Sequence, residues 1–230
     1  MSQAALAPDA SRERLKAAAL ALFSAHGVDG VSVRDIVAAA GMRNGASLHY
    51  HFGSKEALIR ELVQDGARAS DAARVRRLAA LEAAGGPRLP ADIVRLLVEV
   101  ETAPDAAGAP VGFGHMRFVM ALQINHRRLF QSALEGERTP GYLRCLQHLR
   151  RLIPDLPEPL LRQRLVFLYL HVVATLAARE AAFEGGAAGG PLWGSAQALP
   201  NLVDALTGML TAPAASALDD QRVEAEAGGR

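Results

Sequence analysis

Two stretches of the chain hold side chains whose types and spacing could do chemistry. In "RNGASLHYHFGSKEAL", Arg43 to Leu58, the run His49, Tyr50, His51, Phe52 is followed by Gly53, Ser54 and Lys55. In "VSVRDIV", Ser32 stands two residues before Arg34 and three before Asp35. A helix N-terminus carries unbonded N–H groups and a partial positive charge, so cations are disfavoured in its first turn. Lys55 and Arg34 nevertheless follow closely on the cap residues Ser54 and Ser32. Cap hydroxyl, free amides and a cation together suit a phosphate group. The alternative is that both side chains reach into water. Arg34 has a further option, because its guanidinium can reach a guanine edge.

The two histidines invite a metal reading, which geometry opposes. At two residues apart on a helix they point about 200° away from each other. Zinc-binding helices use a four-residue spacing, and no carboxylate or cysteine is spaced to complete a site. Nor do the seven histidines show a partner spacing for a catalytic triad, and no glycine-rich phosphate loop is present. The expectation is no catalytic residue, no metal and no cofactor.

Bulk composition narrows the classes. The 230 residues are 50% hydrophobic and carry 25 Lys plus Arg against 24 Asp plus Glu, a formal net charge of +1. A nucleic-acid partner must therefore be argued from local arrangement rather than from net charge. Cys145 is the only cysteine, which rules out an intrachain disulfide and suits a reducing cytosol. The N-terminus lacks the charged start and apolar run of a signal peptide. The longest apolar stretch, Leu165 to Ala178, is short for a bilayer span and contains His171. These features lead us to expect a soluble, cytoplasmic protein with no membrane partner.

The elements that must position these groups read as helices throughout. Leu15, Ala18, Ala19, Leu22 and Phe23 form one apolar stripe on a first helix from about Ser11 to His26, stopped by Gly27. Ser32 opens a second helix that buries Ile36 and Val37 and ends at Gly41, with Asp35 nearly completing a capping box. A short helix follows from Ala46 to His51, and Ser54 begins a long one. Two short helices joined through a glycine-bearing turn, packed on an amphipathic first helix, make a helix-turn-helix. In the short helix Leu48 and Phe52 share the inward face. Ser47, Tyr50 and His51 then face outward with His49 at the margin, while Asn44, Gly45 and Ala46 start the helix.

The stretch from Ser11 to Val63 resembles the DNA-binding domain of the TetR (tetracycline-repressor) family of bacterial transcriptional regulators. The resemblance lies in Leu22-Phe23, in G-x-x-x-x-S-V-R-D-I from Gly27 to Ile36, in Ala39-Ala40-Gly41, and in "LHYHFGSKEAL" from Leu48 to Leu58. It implies DNA contacts for Ser32, Arg34, Tyr50, His51 and Lys55. This chain has one residue more than the family pattern between Gly41 and Leu48, so contacts for Arg43, Asn44, Gly45 and Ala46 cannot be assigned by alignment; Arg43, Asn44, Gly45, Ser47 and His49 complete the DNA-contact candidates. His49 stands where a tyrosine is usual.

The resemblance also implies that the remaining chain dimerises and encloses a small-molecule pocket. Helices around Leu160–Phe183 and Ser195–Leu210 have broad apolar faces. Leu161, Leu165, Leu168, Val172 and Leu176, with Leu202 and Leu206, are the expected dimer interface, the alternative being the core of one protomer. Phe113, Met116, Met120 and Gln123 fall on one side of an apolar segment from Gly112 to Phe130 and, with Phe167 and His171, are the pocket candidates. Core packing is the rival explanation for each.

The expected architecture is all-α. A three-helix DNA-binding domain spans residues 1–53, a larger helical ligand-binding and dimerisation domain spans 54–211, and an acidic tail, expected to be disordered, spans 212–230. The expected function is that of a repressor. Its partners are a double-stranded inverted-repeat operator, a second copy of the chain, and a small-molecule effector of unknown identity that releases the DNA. The alternative is a helical adaptor that keeps the helix-turn-helix only as scaffold.

Overall fold

The structure, a computed structural model, describes residues 8–42, 44, 46–102, 114–184 and 189–214, and among them all regular structure is helical. The expected tail lies almost wholly outside the described residues.

Four helices form the N-terminal part: α1 (Pro8–His26), α2 (Val33–Ala39), α3 (Ala46–Phe52) and α4 (Lys55–Ala83). Their boundaries follow local signals. Gly27, Gly41 and Gly53 adopt positive φ (72°, 68° and 76°) where α1, α2 and α3 end, a conformation that costs glycine little. Ser32 and Asp35 make a complete capping box, and Ser54 caps α4 by accepting the Ala57 amide at 3.0 Å. Leu15, Phe23, Ile36, Leu48, Leu58 and Ile59 meet in a core shared by the four helices, all of them 2% exposed or less.

Seven further helices follow: α5 (Pro90–Thr102), α6 (His115–Asn125), α7 (Arg127–Leu134), α8 (Pro140–Leu152), α9 (Glu158–Glu184), α10 (Gly190–Trp193) and α11 (Ala198–Thr211). The long α4 packs on α5, α7 and α8, while α9 packs on α6 and α11. Within the segment read as one apolar run to Phe130, the chain breaks at His126, with φ −133° and ψ 41°, and continues as α7. Cys145, on α8, is buried, and burial raises its thiol pKa to about 11.

Helix α6 joins the N-terminal helices to the rest. Phe118 stacks on Phe23 of α1, with centroids 5.8 Å apart and planes at 14°. The Ser24 hydroxyl bonds the Gly114 carbonyl at 2.5 Å. The first turn of α6 has no side-chain cap of its own. Its amides at Met116 (3.2 Å) and Arg117 (2.9 Å) donate instead to the Glu180 carboxylate of α9.

Helix α9 requires a correction. Leu161, Leu165, Leu168, Val172 and Leu176 are each 7% exposed or less within a single protomer, as is Leu206 of α11, and Leu202 is half-buried. These residues fill the protomer core. The exposed apolar side of α9 is Val166, Phe167 and Leu170, at 55%, 49% and 40%. The error has a physical origin: α9 is apolar nearly all round, so periodicity does not say which face points inward. At 27 residues it is long and apolar enough by composition to cross a membrane, yet its leucine face packs on α6 and α11.

Candidate nucleic-acid interface and internal cavity

The recognition candidates lie where α2, α3 and the start of α4 meet the surface. Leu48 anchors α3 in the core at 0% exposure and Phe52 packs beside it under the Arg12 guanidinium, 4.4 Å from the ring centroid. Arg12 also bonds the His51 carbonyl (2.6 Å) and pairs with Glu61 of α4. Both contacts hold α3 from behind. Tyr50 therefore projects at 81% exposure, with His51 edge-on to it at 5.0 Å between centroids. His49, Ala46, Asn44 and Arg34 are exposed as well, and Ser47 and His51 are half-buried. Arg43 and Gly45 lie outside the described residues.

His49 Nδ1 sits 2.8 Å from the Gly53 carbonyl. A carbonyl can only accept, so Nδ1 carries the proton in this contact. Asn44 has a local duty too. Its Oδ1 accepts the Ala46 amide at 2.9 Å and its carbonyl accepts the Ser47 amide at 3.0 Å. The longer turn thus starts α3 with an Asx turn, and the Asn44 amide nitrogen stays available.

Lys55 and Ser32 are arranged differently from a simple phosphate clamp. The Lys55 ammonium donates to the carbonyls of Val28 (2.6 Å) and Val31 (2.5 Å), tying the α1–α2 link to the start of α4. Two of its three N–H groups are used. The Ser32 hydroxyl accepts the Asp35 amide (3.2 Å) and lies 2.6 Å from Asp35 Oδ2, which holds the Asp35 carboxyl below its usual range. Arg34 alone of the two first-turn cations is exposed. Lys16 is spent inside the fold on Glu13 and Asp65.

A cavity of about 370 Å³ opens between α4, α5, α6, α7, α8 and α9. Of the pocket candidates among the described residues, only Met116 lines it. Gln123 stands behind the wall, donating to the Tyr169 hydroxyl at 2.9 Å, and Met120 is half-buried away from the lining. Phe167 and His171 point outward, the His171 ring bonding the Phe167 carbonyl at 2.7 Å. Phe113 lies outside the described residues. The polar groups that do line the cavity include Ser70, Arg74, Glu101, His115, Tyr142 and Tyr169, with Glu137 and Thr139 beside them. Sequence reasoning passed them over, because they come from five helices and no local pattern joins them. One signal was available. Gly66 sits inside α4 without ending it, and a Cβ there would lie 2.1 Å from the His115 ring. That glycine makes room for the imidazole.

Among the described residues no group of three or more His, Cys, Asp or Glu side chains could hold a metal ion.

Residues 15–62 match the family described as bacterial regulatory proteins, tetR family. No curated protein matches the chain. Among solved structures, a transcriptional regulator from Rhodococcus sp. Rha1 is 21% identical, with 86% of this chain and 95% of that one covered at a TM-score of 0.49. A candidate transcriptional regulator from Rhodococcus sp. RHA1 is 23% identical over 88% and 96% of the chains, at a TM-score of 0.35. Likeness at these scores assigns no function. The family match spans α1 to the first turns of α4, the helices that carry the helix-turn-helix. In that domain the chain is similar to the bacterial regulatory proteins of the tetR family.

Proposed function

We propose that this regulator is a cytoplasmic homodimeric repressor, without enzymatic activity, that a small molecule releases from an inverted-repeat operator. One observation carries the reading: Tyr50, His49, Asn44 and Arg34, on α2, α3 and the turn between them, are exposed while Leu48 and Arg12 fix α3 from behind. Exposed side chains on a braced helix are what major-groove recognition needs. Arg34 and Tyr50 are the primary DNA contacts. Ser32, Ser47, His49, His51 and the third N–H of Lys55 supplement them, with Asn44, Arg43 and Gly45 at the turn. The domain division at residue 53 and the dimer belong to the same proposal. The exposed Val166, Phe167 and Leu170 of α9, beside α11, form the self-complementary face. Two recognition helices then meet half-sites about one DNA turn apart.

The test is fluorescence anisotropy with the DNA upstream of the gene, titrated with salt. A few phosphate contacts per subunit predict a modest negative slope of log affinity against log salt, and a slope near zero would remove the phosphate roles. A second reading, a helical adaptor with a vestigial helix-turn-helix, draws support from Lys55 and Lys16 being engaged within the fold. An adaptor would bind upstream and scrambled DNA alike.

A further inference from the structure

We infer that the cavity takes an uncharged, largely apolar molecule presenting one carbonyl-type oxygen to the polar end; this rests on the effector reading above. The volume, about 370 Å³, is within the range of small-molecule sites. Most of its wall is aliphatic or aromatic, with Val63, Leu97, Val119, Phe130 and Leu168 among the lining. That wall selects an apolar body.

The polar end selects what the body carries. Arg74 and Glu101 form an ion pair at 2.5 Å, and the second Glu101 oxygen accepts the Ser70 hydroxyl at 3.0 Å. Glu137, the other acid on the wall, is paired with Arg68 at 2.8 Å. The charges are therefore matched before anything enters. An ion brought into this enclosure would have to shed its water without an unpaired counter-charge to meet it, which is strongly unfavourable.

Hydrogen-bonding capacity is less evenly matched. Both Glu101 oxygens already hold a donor. The Tyr169 oxygen already accepts from Gln123, so its proton is what remains to give. Among the described residues the Tyr142 hydroxyl has no partner, and Thr139 precedes α8 without using its hydroxyl as a cap. Arg74 can only donate, and its Nε is buried with no acceptor. Burial raises the pKa of both Tyr142 and Tyr169, which keeps them protonated donors. Burial lowers the His115 pKa and keeps its ring neutral, with one nitrogen to donate and one to accept. The balance stays with donors and favours a ligand acceptor that brings no charge, such as a ketone, ester or amide oxygen.

Three matched probes test the class by calorimetry on the full chain: 2-acetonaphthone, 2-ethylnaphthalene and 2-naphthoate. The ketone is expected to bind tightest. The hydrocarbon should bind roughly three- to tenfold more weakly, the worth of one neutral hydrogen bond, and the carboxylate more weakly again. Replacing both tyrosines (Tyr142→Phe with Tyr169→Phe) should bring the ketone down to the hydrocarbon's affinity and leave the hydrocarbon unchanged. Ala67→Leu, which fills the wall, should weaken all three. Tightest binding of the carboxylate, equal binding of ketone and hydrocarbon, or binding by none of them would overturn the inference. Operator binding, followed in parallel, separates this from the effector reading. If the ketone binds as expected and operator affinity does not change, release by a ligand in this cavity fails and the ligand class stands. If naphthoate binds tightest and releases the operator, the ligand class fails and the effector reading stands.

Discussion

Glu180 of α9 caps a helix that is not its own: its carboxylate accepts the Met116 and Arg117 amides at the start of α6, 64 and 63 residues away in sequence. The bond joins the core helix α9 to the helix that touches both the cavity and α1. Glu180→Ala is expected to destabilise the fold by about 1–3 kcal/mol, because it leaves buried amides unsatisfied. Glu180→Gln keeps a carbonyl acceptor and should cost less. Urea unfolding of the two variants measures the difference.

The same residue predicts a pH dependence. Burial raises the Glu180 pKa in the folded protein above the ordinary glutamate value, so the native state holds a proton that the unfolded state has released. Its contribution to stability is then full below the ordinary value and falls as pH rises toward the raised one. Melting temperatures of wild type and Glu180→Gln, compared across that range, should converge on the acid side and separate as the glutamate ionises. Parallel curves would show that the carboxyl does not titrate in this window.

Lys55 serves the fold as well as any DNA contact. Removing the ties to Val28 and Val31 should cost about 1.5–3 kcal/mol, as for hydrogen bonds to a charged group. It should also weaken binding to all DNA sequences. Arg34→Ala and Tyr50→Ala, at exposed positions, should leave stability within about 0.5 kcal/mol of wild type while weakening operator binding by about 1–3 kcal/mol. Stability loss in the exposed pair, or none in Lys55→Ala, would contradict this division of labour.

On α9 the two faces make opposite predictions. Leu165→Ala creates a core cavity and should cost about 2–5 kcal/mol. Leu170→Arg, on the outer face, should leave the protomer folded and shift sedimentation toward a monomer with weaker operator binding. An unchanged sedimentation coefficient would count against the outer face as the pairing surface.

At Gly66, alanine would ordinarily favour an exposed helix interior by about 1 kcal/mol. Here its methyl meets the His115 ring, so Gly66→Ala should destabilise the protein by about 1–3 kcal/mol. Adding His115→Ala should recover part of that loss, because it removes the obstructing ring. A double variant no more stable than Gly66→Ala alone would place the strain elsewhere.

What the sequence revealed and concealed divides by distance along the chain. Ser32 with Asp35, Ser54 with Ala57, and Gly41 act over three or four residues, so the helix ends around the recognition surface could be read directly. Tyr50 could be placed outside because Leu48 and Phe52 define an inside. Lys55 shows where that reasoning stops: its position in the helix was legible, but the carbonyls it bonds lie 24 and 27 residues upstream. The cavity was hidden for the same reason, since Arg74, Glu101, His115, Tyr142 and Tyr169 come from five separate helices. The leucines of α9 failed differently. A helix apolar on every side offers no contrast from which to tell core from surface.

Helix α4 runs unbroken from Lys55, beside the recognition helix, to Arg74 in the cavity wall and beyond. Nineteen residues at 1.5 Å each make an arm of about 28 Å. A stiff rod of that length works as a lever. A tilt of about 3° at the cavity end carries the other end through roughly 1.5 Å, which is enough to pull a hydrogen bond to a base out of range. Under the proposed release by a small molecule, a movement too small to disturb the packing around one guest would be read as a lost contact at the far end.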